Sequence, residues 1–258
     1  MWDILFTNYI AFLLLLVRMM GMLVFSPLFG RKNVPVIIKM GLAFFITVIL
    51  MGIIPDTSPV VINNMLTFLL VSIKELFIGF LVGFIMQMFL SVLQLAGEFI
   101  DLQLGIGMAQ VYDPGSKTSS MPLTGSMLNL FYTVIFFVTN GHLTLIKIIS
   151  SSLSIIPLGT LQLNGDCGQY LVLFFGSILV LAVKLALPVI ALEIVTELGL
   201  GVLMRTVPQI NVFVVGLQLK LLIGLVMIVI VLPGFFNYFD YLTTNMFNSI
   251  VNGLHMLG

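Results

Sequence analysis

The feature that most limits this chain is a succession of apolar stretches, each about as long as a bilayer is thick or longer: residues 4–29, 34–54, 62–104, 126–150, 169–203 and 210–236. About 20 mostly apolar residues cross the hydrocarbon layer as a helix, and in lipid every backbone N–H and C=O must find its partner inside the protein. Composition agrees. The chain is 60% hydrophobic and 8% charged, with a mean hydropathy of +1.23, whereas soluble domains carry about a quarter charged residues. The breaks "GRKNVP" (30–35), "PDTSP" (55–59), "LGTLQLNGDCG" (158–168) and "RTVPQIN" (205–211) hold the Pro, Gly and Asn that stop helices. The expected fold is an all-α membrane protein of about six long apolar segments in a single domain, 1–258. Segments 62–104 and 169–203 are too long for simple spans at about 1.5 Å per residue. They are expected to form helical hairpins or to project beyond the bilayer.

Charge and motif narrow the function. Ten basic and ten acidic residues cancel, which argues against a nucleic-acid surface. One cysteine, Cys167, excludes an intramolecular disulfide, and the separated His142 and His255 do not suggest a metal site. The N-terminus "MWDILFTNYIAFLLLLVRMM" has Asp3 in place of a basic n-region and reads as a retained membrane segment. Phosphate-loop, zinc-protease and nucleophile-elbow motifs are missing, so neither an enzyme nor a cofactor is expected. Arg31, Lys32 and Lys39, then Lys117, then Arg205 mark alternate breaks as basic. By the positive-inside rule these breaks face the cytoplasm and both termini lie outside, if all six segments span.

Ionisable groups within the apolar segments carry the most information, because each costs about 2.5–3.5 kcal/mol at the bilayer centre. They are Arg18, Lys74 with Glu75, Glu98 with Asp101, Lys184, Glu193 with Glu197, and Lys220. On a helix, Gly83, Gln87, Ser91, Gln94, Glu98, Asp101 and Gly105 fall within an arc about 80° wide. That stripe reads either as a tightly packed helix seam or as the wall of a watery path. Glu193 and Glu197 stand one turn apart, where like charges repel, and Lys184 points to the other side of a straight helix. Arg18 has no acidic neighbour within a turn. The partners of these charges therefore lie on distant segments, on other subunits or in water.

Several stretches together resemble the FliR family of flagellar export-gate proteins, called SctT in injectisomes. In "AGEFIDLQLGIGMAQVYDPGSKTSSMP" (96–122) the resemblance is carried by Ala96, Gly97, Asp101, Gln103, Gly105, Asp113, Pro114 and Pro122. It continues in "FVTNGH" (137–142) and "KLALPVIALEI" (184–194). It extends through Arg205, Pro208, Gln209, Asn211, Gly216 and Lys220 of "LGLGVLMRTVPQINVFVVGLQLKLLIG" (198–224), and Arg18 and Pro27 of "VRMMGMLVFSPLFG" (17–30). The chain departs at Gln218, where many relatives carry proline. The resemblance implies a subunit that helps form and seal the conduit for unfolded export substrates across the bacterial inner membrane, in the flagellar basal body. It implies FliP-like and FliQ-like partners in a helical hetero-oligomer, contact with an FlhB-like subunit and with lipid, and bent hairpins raised above the membrane plane.

The same resemblance implies that the loop at 106–125 plugs the conduit. Its residues are Gly107, Met108, Asp113, Pro114, Gly115, Ser116, Lys117, Ser119, Met121 and Pro122. Glycine gives such a loop backbone freedom, and the two prolines discourage helix. Read from composition alone, the same residues make an ordinary cytoplasmic connector. Subunit contacts are expected at Arg18, Gln87, Gln94, Glu98, Asp101, Gln103, Lys184, Glu193, Glu197, Arg205, Pro208, Gln209, Asn211 and Lys220. One alternative of another class stays open: a proton-coupled transporter of a small solute using Glu98, Asp101, Glu193 and Glu197. No convincing repeat of 4–104 in 126–236 supports it.

Overall fold

The structure is a computed structural model that describes residues 9–30, 34–53, 64–106, 122–161, 167–206 and 212–257. Among these residues the chain is helical and free of strands: α1 (Tyr9–Phe25), α2 (Val36–Ile53), α3 (Met65–Leu104), α4 (Leu123–Val138), α5 (Gly141–Ile155), α6 (Cys167–Thr206) and α7 (Val212–His255). Three of them are long and apolar enough to cross a membrane, within Met65–Leu104, Gly168–Thr206 and Gln218–His255. The α4 and α5 pair adds a fourth if counted as one broken span.

The two overlong segments are continuous helices of 40 residues each and not hairpins, which leaves projection beyond the bilayer. At about 1.5 Å per residue each runs to about 60 Å, twice the hydrocarbon thickness. Pro188 lies inside α6 and Pro233 inside α7 without ending either helix, and α7 also runs through Gln218. The expected 126–150 span is instead interrupted. Thr139 closes α4, and Asn140 takes a left-handed conformation at φ 58° before α5 begins, a conformation that asparagine tolerates better than most residues. The last segment runs well past residue 236, to His255.

The chain divides into two compact units, the first made of Met1–Phe89, Asn140–Val172 and Thr243–Gly258, the second of Leu90–Thr139 and Leu173–Leu242. In the first, α1 packs against α2, and it meets α3 through glycines. A Cβ on Gly79 would overlap the Arg18 carbonyl, and one on Gly21 would sit 2.8 Å from the Leu76 carbonyl. Leu14, Leu15, Met19, Leu23, Ile78, Ile85 and Met86 fill the core there. The second unit is built on Leu93, Ala96, Ile100, Leu128, Phe136, Ala182 and Val189. Tyr132 and Phe239 meet edge to face at 5.7 Å, a favoured aromatic geometry. Much apolar surface stays uncovered, as at Val172, Val202, Val229 and Ile230. Only 17% of the most apolar window of α7 is buried, so that helix needs lipid or another chain around it.

Candidate functional site

Among the described residues, the buried and paired carboxylates of this apolar chain gather in three places. The first lies in the first unit. Arg18 donates from Nε to Glu75 Oε2 at 2.6 Å, with both side chains buried. Its Nη2 reaches the Ile156 carbonyl at 3.1 Å, and Nη1 faces the Ser152 carbonyl and hydroxyl at 3.5 Å. The second carboxylate oxygen of Glu75 accepts the Gly159 N–H at 2.8 Å. Gly159 is the third residue of a turn closed by the Thr160 N–H on the Pro157 carbonyl at 3.2 Å, and its φ of 83° suits glycine. Lys74 Nζ donates to the Leu161 carbonyl at 3.3 Å. Two adjacent residues of α3 thus hold the turn that follows α5. A buried ion pair survives only when its remaining donors and acceptors are met, and here the backbone meets them.

The second place lies in the second unit, where the Asp101 carboxylate accepts the Thr124 N–H at 3.3 and 3.2 Å and the Thr124 hydroxyl as well. Thr124 is the second residue of α4, whose N-cap, Pro122, makes no side-chain cap of its own. Asp101 therefore caps α4 from a neighbouring helix, and a carboxylate is favoured at a helix N-terminus. The third place is also in the second unit. Lys220 pairs with Glu197 at the surface, one turn from Glu193. Glu193 is fully buried, and neither of its carboxylate oxygens has a hydrogen-bond partner among the described residues. Gly224 faces it: a Cβ there would meet the Leu104 side chain and come to 2.9 Å from Glu193 Oε1.

The expected stripe on α3 divides. Gly83 is buried against Phe25, and Asp101 is buried at the start of α4. Gln87 and Glu98 are exposed, and Gln94 and Gln103 are half-buried. Lys184 and Arg205 are exposed as well. Gly107, Met108, Asp113, Pro114, Gly115, Ser116, Lys117, Ser119, Met121, Pro208, Gln209 and Asn211 lie outside the described residues. Sequence reasoning missed the roles of Thr124, Ser152 and Gly159. Hydroxyls and glycines are common in tight helix packing, and no spacing in the sequence ties these three to a charge 23 to 134 residues away.

Helices this apolar, with two ion pairs folded between them and whole faces left bare, define an α-helical membrane protein. Comparison with known proteins gives the family. The family described as "Bacterial export proteins, family 1" matches residues 9–246, and the chain belongs to it. It is 34% identical over 229 residues to the flagellar biosynthetic protein FliR of Bacillus subtilis, covering 88% of this chain and 87% of that one. It is 29% identical over 237 residues to FliR of Escherichia coli, at 92% and 90% coverage, and 31% identical over 243 residues to FliR of Aquifex aeolicus, at 90% and 93%. The chain is thus a subunit of the flagellar type III export apparatus, and nothing among these relatives favours solute transport.

Proposed function

We propose that this chain is a wall and seal of the export conduit, embedded in the bacterial inner membrane at the flagellar basal body and acting as one functional domain over 1–258. FliP-like and FliQ-like subunits cover its bare helix faces, an FlhB-like subunit docks on the assembly, and unfolded export substrates pass through it. The observation that carries this reading is the family match across residues 9–246, and the uncovered apolar surface of α6 and α7 supports it. Exposed charges at Glu98, Lys184 and Arg205, with Gln87, supply polar contacts to those neighbours, as do the half-buried Gln94 and Gln103 and the segment containing Pro208, Gln209 and Asn211. Arg18, Asp101, Glu197 and Lys220 hold the subunit's own helices in the shape those neighbours meet, and Glu193 is packed beside them.

The seal is the segment from Gly107 to Pro122, and it works as a plug. A passage wide enough for an unfolded chain would dissipate the membrane potential if it stood open, so its default state is closed. A plug must also yield quickly, which calls for few bulky apolar anchors. Between Asp113 and Pro122 the only one is Met121; Gly115, Ser116, Lys117 and Ser119 are small or polar. The test is deletion of Gly115–Ser120. Complexes should assemble, and their idle conductance in planar bilayers should rise. A deleted complex that assembles and conducts no more than the intact one makes the segment a connector.

A further inference from the structure

One residue stands at both ends of segment 107–121. Where α3 ends, Gly105 takes φ 78°, its N–H bonds to the Leu102 carbonyl at 3.2 Å, and the Ile106 N–H bonds to the Asp101 carbonyl at 3.0 Å. This is the Schellman pattern, which gives a helix a fixed exit direction. The backbone of Asp101 thus holds the last described residue before the segment. Its side chain holds the second residue after Pro122, through the Thr124 N–H and hydroxyl. Asp101 is 5% exposed and Thr124 4%, so no solvent competes for these bonds.

The helices beneath this pair touch backbone to backbone. A Cβ on Gly97 would overlap the Gly125 backbone, and a Cβ on Gly125 would stand 3.1 Å from the Gln94 carbonyl. Gln94, Gly97 and Asp101 follow one another at helical spacing on α3, so a single edge of that helix receives the first turn of α4. Pro122 has no N–H and makes no side-chain cap. Among the described residues, the first turn of α4 is capped by a carboxylate delivered from α3. Removing that carboxylate leaves buried N–H and O–H donors unmatched and takes a counter-charge from a helix N-terminus.

We propose that Asp101 is a positioning residue: with Thr124 and the Gly97–Gly125 contact it forms a clasp that keeps the exit and the re-entry of segment 107–121 together. The clasp stays shut during export, and whatever the segment does, it does between fixed ends. Its consequence for sealing rests on the plug reading above. A chain tethered at two neighbouring points has fewer arrangements open to it than one whose ends are free, and breaking the clasp removes that restriction. A charge-assisted buried hydrogen bond shifts such an equilibrium about ten- to a hundred-fold.

The clasp is tested in the purified complex with Cys167→Ser as background. Asp101→Cys with Thr124→Cys places two thiols where carboxylate and hydroxyl touch. On oxidation we expect a single peptide pair bridging 101 and 124, and export at the level of the unmodified complex. An assembled complex that forms no bridge, or a bridged complex that loses export which reduction restores, overturns the clasp. Thr124→Val keeps the backbone and the shape but removes the hydroxyl, and Asp101→Ala removes the carboxylate. Idle conductance should rise in both and stay near the unmodified level in Thr124→Ser. Unchanged conductance in assembled Asp101→Ala and Thr124→Val, alongside a leaking Gly115–Ser120 deletion, overturns the clasp and leaves the plug standing. A tight deletion complex overturns the plug alone, and the bridged peptide then decides the clasp.

Discussion

Arg18 and Glu75, 57 positions apart, meet at 2.6 Å with their side chains buried, and between them they hold the turn from Ile156 to Gly159. Removing one partner strands the other charge, at a cost of about 3–5 kcal/mol, a large share of the stability of any domain. Arg18→Ala and Glu75→Ala should each sharply lower the yield and thermal stability of the purified complex. Arg18→Lys should recover only part, since an ammonium lacks the planar fork that reaches Glu75 and Ile156 together. Arg18→Leu with Glu75→Leu should be more stable than either alanine variant. Thermal unfolding followed by size-exclusion chromatography measures all four, and singles as stable as the intact protein would remove the pair from the account.

Glycines give a sharper contrast. A methyl group on Gly79 would press on the Arg18 carbonyl, which belongs to a helix backbone and cannot swing away, whereas nothing stands within 4 Å of a Cβ on Gly41. Gly79→Ala should therefore part α1 from α3 and abolish accumulation of the chain. Gly41→Ala should be neutral or should stabilise α2 by up to about 1 kcal/mol, the usual gain over glycine in a helix interior. Membrane-fraction immunoblots decide it, and equal levels of the two variants would contradict the packing.

Glu193 and Glu197 separate in the same way. Glu197 and Lys220 form a partly exposed pair, and an amide keeps the shape and can still accept from the ammonium, so Glu197→Gln should change thermal stability less than Arg18→Ala does. Glu193 is buried without a described partner, and an amide of the same shape is cheaper to bury than a carboxylate. Glu193→Gln should assemble, tolerate heat at least as well, and support motility. Assembled but inactive Glu193→Gln complexes would show that the carboxylate does chemistry and is not merely packed.

How much of this could be read beforehand varies by element. The apolar runs around Arg18, Glu75 and Glu193 mark helices by length alone, because lipid leaves the backbone no other arrangement. The break at Asn140 was hidden, since one left-handed residue hardly lowers the hydropathy of the window around it. The length of 62–104 leaves a hairpin and a projecting helix equally open, because apolar length alone does not say whether the chain turns back; α3 is the continuous form. Under-pairing of Arg18 and the Glu193/Glu197 turn leaves distant segments, other subunits or water as partners; Arg18 meets Glu75 and Glu197 meets Lys220, while Glu193 has no hydrogen-bond partner among the described residues. Which distant residue serves is set by helix packing, and a stripe on one helix does not say which helix it meets at Gly79 or Gly97.

Orientation has its own test. The local excess of Arg31, Lys32 and Lys39 puts the first break on the cytoplasmic side. In a Cys167→Ser background, Asn33→Cys in spheroplasts should resist an impermeant thiol reagent applied outside and react once the membrane is opened. Labelling in intact spheroplasts reverses the assignment.

The central claim is that this subunit is completed by unlike neighbours, and the mass of the intact detergent-extracted complex tests it most directly. The chain alone is 28.4 kDa. Native mass spectrometry should find it as a single copy in a much larger particle whose other members, released on activation, are different membrane proteins of the export apparatus. A particle that is the lone chain, or a ring of identical copies, would contradict the account.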